Sequence, residues 1–112
     1  MTGLMRLAAC VEELRKVFPS MTLQGTAMFL YIANHPGCRA NDLIDALGMS
    51  SSNITNIVKQ LDERGWAKPS LALVRYENDL DDARKKLFFL APRGERIARS
   101  LRAIITGEAT VI

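Results

Sequence analysis

Between Ser50 and Gln60 the chain reads Ser-Ser-Ser-Asn-Ile-Thr-Asn-Ile-Val-Lys-Gln, a run in which short polar side chains alternate with branched apolar ones. An asparagine amide carries a donor and an acceptor in the geometry of an adenine edge. Serine and threonine hydroxyls reach phosphates or base edges, and Lys59 adds a point charge. A second grouping, Arg84-Lys85-Lys86, concentrates cations just after an acidic stretch. Covalent or acid–base chemistry has little to work with. His35 is the one histidine, Cys10 and Cys38 stand in unrelated contexts without a CxxC, and there is no phosphate loop and no acid pair with a base beside it. The sequence therefore predicts a binding protein, not an enzyme, with no metal and no cofactor.

The elements that must hold these residues follow from periodicity. Leu4, Leu7, Ala8, Val11, Leu14 and Phe18 recur at helical spacing, and Pro19 ends that segment. A second helix fits Thr22 to Asn34, with Leu23, Ala27, Leu30 and Tyr31 marking one face and Met28, Phe29 and Ile32 widening it. His35-Pro36-Gly37 is a turn. A short stretch at Cys38-Arg39 leads to a brief helix over Ala40 to Leu47, stopped by Gly48. Ser50 to Ser52 supply N-cap candidates for a helix running to Arg64, whose stripe is Ile54, Ile57, Val58 and Leu61. Two β-like runs, Leu71 to Glu77 and Lys86 to Ala91, flank the polar stretch 78–83 as a hairpin. Pro92 opens a last helix with Ile97, Leu101, Ile104 and Ile105 on its apolar face, and the chain from Gly107 onward reads as a frayed tail.

Residues 40–64 thus read as a helix-turn-helix. Leu43, Leu47, Ile54 and Ile57 hold the second helix against the first, which leaves Ser51, Ser52, Asn53, Thr55, Asn56, Lys59 and Gln60 facing solvent. Those side chains lack the Glu/Lys mixture of an ordinary solvated helix, and the helix N-terminus itself favours a phosphate. The plainer alternative is a polar first turn that only caps a surface helix.

The order helix, helix, short strand, helix, helix, hairpin, helix is that of a winged helix, and the local wording resembles the MarR family of transcriptional regulators. Thr22-Leu23-Gln24, Phe29 to Ala33 and Pro36-Gly37 are similar to that family's second helix and turn. Leu43-Ile44-Asp45-Ala46-Leu47-Gly48-Met49-Ser50 resembles its LAxxLGxS segment. Asn53 to Val58 and Leu61 to Trp66 resemble the continuation through the recognition helix. Asp82 to Ala91, followed by Gly94, resembles the wing. The likeness spans roughly residues 20–100. It implies an α+β winged helix-turn-helix, mainly helical with a β-hairpin wing, that binds double-stranded DNA and represses transcription. On that reading Ser51, Ser52, Asn53, Thr55, Asn56 and Lys59 meet the major groove, and Arg84, Lys85 and Lys86 meet the minor groove, with Asp82 orienting Arg84. Two departures bear on base preference: Asn56 stands where many members carry arginine, and Ala83 replaces the first wing arginine. Both ends are shorter than in most members, which counts against a small-molecule effector crevice.

At 112 residues, 48% hydrophobic and 24% charged, the chain fits one domain with a real core, not a disordered or low-complexity segment. No apolar run approaches the roughly 20 residues needed to span a bilayer, and no signal peptide is visible. The reading is a cytoplasmic protein without membrane attachment. The net charge of +3 is uneven: residues 1–50 balance, and the basic surplus lies in 51–102. That surplus suits a polyanionic partner as well as an ordinary solvated surface. Within a winged helix of this size, helices at about 3–18 and 92–106 offer more apolar surface than one copy covers. They predict a homodimer through Leu4, Leu7, Val11, Leu14, Ile97, Leu101, Ile104 and Ile105. Cys10 is expected to be a buried thiol with redox sensing as the alternative, Cys38 a core residue, His35 a surface or helix-end residue, and Trp66 a brace between hairpin and helices. Arg75 and the Arg93, Arg96, Arg99 and Arg102 series read as solvated, the latter with phosphate contact as the alternative. A winged-helix module that docks a protein partner through the same helix is the rival function.

Overall fold

The computed structural model describes residues 2–62, 64, 71–82 and 84–107. Seven elements follow in order: α1 (Gly3–Val17), α2 (Leu23–Asn34), α3 (Ala40–Leu47), α4 (Ser51–Leu61), β1 (Val74–Asn78), β2 (Lys86–Leu90) and α5 (Pro92–Thr106). This is the winged helix-turn-helix that the sequence implies. Side-chain caps set the helix starts: Thr2 accepts from the Met5 amide at 3.2 Å, Thr22 from Gly25 at 3.0 Å, and Ser50 from Asn53 at 3.2 Å. Glycine sets two helix ends. Gly48 and Gly107 are C-caps at φ of +65° and +78°, a region in which a Cβ is strained.

α2 is the hub, packing against α3, α4, α5 and β2. Its buried residues are Gly25, Met28, Phe29 and Ile32. The face expected from the sequence is corrected in part: Met28, Phe29 and Ile32 are buried as expected, whereas Leu23 is 89% exposed and Leu30 40%. Four neighbouring elements demand a face that starts with a glycine, and hydrophobicity alone does not mark Gly25 as interior. α1 lies antiparallel on α5. Arg6 donates to the Ile105 carbonyl at 2.6 Å, the Cys10 thiol faces the Leu101 carbonyl at 3.9 Å, and the Arg93 guanidinium lies 4.7 Å from the Phe18 ring centre. Arg6 thereby places a cation on the open carbonyl end of α5.

The hairpin is antiparallel, with Val74 opposite Leu90 and Asn78 opposite Lys86. Its base is tied to the turn after α2: Gly37 donates to the Phe88 carbonyl and Phe88 to the Cys38 carbonyl, each at 2.8 Å. Two expected boundaries move. α4 ends at Leu61 instead of Arg64, and β1 begins at Val74 instead of Leu71. The reason is shared. The Leu71 amide donates to Gln60 O at 3.0 Å and the Leu73 amide to Leu61 O at 2.8 Å, so 71–73 closes the end of α4 before it pairs as strand. Ala72, between them, takes a left-handed φ of +54° that lets both neighbours aim at the helix end. Trp66 lies outside the described residues.

Leu73 is fully buried, and its carbonyl accepts from Ala91 at 2.9 Å. Gly94, in the first turn of α5, packs directly on that carbonyl. A Cβ there would sit 3.0 Å from the carbonyl carbon and closer still to its oxygen. Gly94→Ala should therefore destabilise the fold by about 2–3 kcal/mol, the scale of overpacking against backbone. Gly3→Ala, with nothing within 4 Å, should cost nothing measurable. Urea denaturation of both variants checks this, and equal midpoints would contradict it.

Candidate nucleic-acid interface

The face of α4 divides cleanly. Ile54, Ile57 and Leu61 are buried, while Ser51, Ser52, Asn53, Thr55, Asn56, Lys59 and Gln60 are all exposed. Ile54 and Ile57 belong to the core cluster with Leu43 of α3, and Met49 of the turn is buried beside them. Ser50 spends its hydroxyl as the cap. Thr55 returns its proton to the Ser51 carbonyl at 3.0 Å, keeping its lone pairs outward. Among the described residues, the side chains of Ser51, Ser52, Asn53, Asn56, Lys59 and Gln60 have no partner within the chain. They are free to bind something else.

The wing approaches this face from one side. A groove of about 690 Å³ runs between α3, α4 and the hairpin, bordered by Arg39, Thr55, Val58, Lys59, Tyr76, Arg84, Lys85 and Lys86. Five of these are cations, against Asp42 and Asp62 on the acidic side. Arg84 is 92% exposed and its Nε lies 3.3 Å from Asp82 Oδ1, which also accepts the Arg84 amide. The pairing inferred for these two residues is thus present, and it aims Arg84 away from the core. Lys86 lies 4.5 Å from the Tyr76 ring centre. Arg64 lies 3.9 Å from the same centre and donates to the Tyr76 carbonyl at 3.1 Å. Ala83 lies outside the described residues.

Sequence reasoning missed Arg39 and Asp79. Asp79 is buried at 7% exposure, at the neck of the hairpin loop, and its carboxylate pairs with Arg39 at the start of α3. Its other oxygen accepts the Asp81 amide at 2.9 Å. Forty positions separate the partners, and no local pattern joins them. The thiols are accounted for by burial. Desolvation, with a smaller push from Glu13, raises Cys10; desolvation, with Asp42, pushes Cys38 up to about 11. Both stay protonated near neutrality, which disfavours redox sensing. Among the described residues no cluster of His, Cys, Asp and Glu could hold a metal, and no helix is long and apolar enough to cross a membrane.

A model of the MarR family matches residues 21–84, from the start of α2 to Arg84. The chain belongs to the MarR family. The matched stretch holds the whole helix-turn-helix and the first half of the wing, so the family signature and the divided face of α4 coincide. Among solved structures, a MarR family transcription regulator is 25% identical over 90% of this chain, with a TM-score of 0.66. The chain spans only 61% of that protein. FabT from Streptococcus pneumoniae, solved in complex with DNA, is 13% identical with a TM-score of 0.69, covering 94% of this chain and 71% of its own. A MepR mutant from S. aureus, bound to an oligodeoxyribonucleotide, is 18% identical with a TM-score of 0.70, covering 92% and 70%. The last two likenesses carry the fold alone. No curated protein matches the chain.

In this MarR-family chain the expected dimerisation residues fall into two groups. Leu4, Leu7, Val11 and Ile105 are exposed, between 50% and 79%. Leu14, Leu101 and Ile104 are buried in the chain's own core, and Ile97 is half-buried against it. The antiparallel pairing of α1 with α5 covers the second group within one copy.

The Asp79 pair gives a pH signature. The Asp81 amide, most of all, and then Arg39 and Lys85 hold the carboxyl below its usual value, against an opposing push from burial. A folded value below the unfolded value of about 3.9 means the stabilisation is complete above that value and is lost as pH falls through the folded one. The thermal midpoint of the wild type should fall more steeply than that of Asp79→Asn between about pH 5 and pH 3. Parallel curves would contradict the assignment.

Proposed function

We propose that this chain binds double-stranded DNA as a homodimer, with α4 in the major groove and the hairpin along the adjacent minor groove, and represses transcription. The observation that carries the proposal is the divided face of α4: an apolar side fixed in the core and an unpartnered polar side, flanked by a cationic groove. A fixed helix offering amides and hydroxyls suits direct readout. Arg84, held outward by Asp82, suits the narrow, electronegative floor of A·T-rich DNA. The DNA complexes of FabT and the MepR mutant support the partner class, and the family supports a regulator.

The dimer is proposed on the stripe Leu4, Leu7 and Val11 of α1 with Ile105 of α5, apolar surface that one copy leaves in water. Two-fold pairing through it would set two α4 helices on one side of a duplex, reading half-sites about 10 bp apart in a near-palindrome. Arg96, Arg99 and Arg102 are exposed along α5, and we keep them as solvated residues.

Three measurements test this. Fluorescence anisotropy against a labelled duplex should show log affinity falling linearly with log salt. A protein-docking module would bind no duplex. Asn56→Ala should cost about 1–3 kcal/mol on a preferred site and much less on random DNA; Lys59→Ala should weaken both alike and flatten the salt slope by roughly one. Equal losses for Asn56→Ala on both duplexes would make it a positioning contact only. Leu7→Glu or Ile105→Glu should give a folded monomer by light scattering at micromolar concentration, with much weaker DNA binding. A wild type that is itself monomeric, even on a palindromic site, would contradict the dimer. Leu101 is unsuitable for this test, because a charge there enters the core.

A further inference from the structure

We propose that Arg39 and Asp79 form a latch that fixes the wing loop to the start of α3, so that Asp79 governs DNA affinity through Arg84 without touching DNA. The inference rests on the DNA-binding reading above and adds to it a positioning pair outside both recognition elements.

The loop from Asp79 to Lys85 organises itself. The Asp79 amide donates to Lys85 O and the Lys85 amide to Asp82 O, each at 2.9 Å. Asp79 Oδ1 accepts the Asp81 amide at 2.9 Å, and Asp82 Oδ1 accepts the Arg84 amide at 3.1 Å. These bonds give the loop a shape but do not fix where that shape points. A two-stranded hairpin alone is a weak lever, free to swing about its base. The base is held at Phe88 by Gly37 and Cys38, at Tyr76 by the Arg64 guanidinium and at Leu73 by the end of α4, all short of the loop. Beyond it, among the described residues, the polar contact between the loop and the rest of the chain is the Asp79 carboxylate with the Arg39 guanidinium.

Both partners are built for this. Asp79 is nearly inaccessible, and a buried carboxylate needs a matched cation. Arg39 is fixed from behind, since its amide donates to Asp42 Oδ2 at 2.8 Å at the first turn of α3. Its charge is already answered by Asp79, so it has little left for a phosphate although it borders the groove. Arg84 depends on the result: it stands five positions beyond Asp79, on the same loop, and the placement of that loop decides whether it meets the minor groove beside the one α4 occupies.

The test is a double-mutant cycle in the full chain on a fluorescein-labelled duplex, with thermal midpoints confirming that each variant is folded. Asp79→Asn should weaken binding about tenfold, the scale of one charge-assisted hydrogen bond, and flatten the salt slope as Arg84→Ala does, because the displaced loop takes Arg84 off the DNA. Arg84→Ala should weaken it and flatten the slope. The double variant should bind within about twofold of Arg84→Ala alone, because a misplaced wing has nothing further to lose. Arg39→Gln, which leaves the loop's own bonds intact, should match Asp79→Asn and carries the test if Asp79→Asn does not fold. Losses that multiply, Asp79→Asn binding like the wild type, or Arg39→Gln flattening the slope further in the Arg84→Ala background, as a phosphate contact of its own would, each overturn the latch while leaving DNA binding standing. A wild type that binds no duplex would overturn the DNA-binding reading itself.

Discussion

The peptide of Leu73 is the junction on which the arrangement depends. Its amide closes the last turn of α4, its carbonyl receives the end of the hairpin through Ala91, and the bare Cα of Gly94 rests on that carbonyl at the start of α5. Three elements thus meet at one buried backbone unit. The Leu71 amide on the Gln60 carbonyl and the bridge of Asp62 to Val74 reinforce the same joint between α4 and the hairpin. Because backbone hydrogen bonds in a dry site are costly to leave unmade, the base of the hairpin is set against α4 by the fold itself, and the far loop is what the Arg39–Asp79 pair positions.

From that junction the candidate interface follows by subtraction. Ile54, Ile57 and Leu61 each contribute roughly 1.5–3 kcal/mol by leaving water, which orients α4 beyond doubt about its rotation. What remains on the opposite side is polar and compact and, Thr55 apart, without a side-chain partner among the described residues. The wing then brings cations to the edge of that surface, with Arg84 steered by Asp82 and Lys86 laid on Tyr76. A rigid helix thereby carries the amides and hydroxyls proposed to read bases, and the loop carries the charge. That division suits a surface that must keep a register while adapting to a flexible polymer.

Much of this was legible in the sequence, for identifiable reasons. The helix-turn-helix shows because its signals are local: a clean apolar stripe in α4, a glycine forced to positive φ at 48, and a serine cap two residues later. The exposed polar face follows from the same stripe. What was not legible is what distant segments decide. The inward face of α2 runs through Gly25 and leaves Leu23 in water, because neighbours on several sides choose the face. α4 stops early because residues 71–73 take its carbonyls. Leu101 and Ile104 look like interface residues until α1 is seen lying on them. Arg39 and Asp79 each read as ordinary surface charges, and only the folded chain makes them a pair.

The claim that most depends on all of this is that one continuous surface, α4 with the wing loop, meets duplex DNA. Amide chemical-shift mapping of the ¹⁵N-labelled chain against an unlabelled palindromic duplex addresses it directly. Shifts are expected to concentrate at Ser51 to Gln60 and Arg84 to Lys86, with the outer face of α1 unmoved by added DNA at constant dimer concentration. Shifts centred on Arg96, Arg99 and Arg102 of α5, with α4 silent, would contradict it.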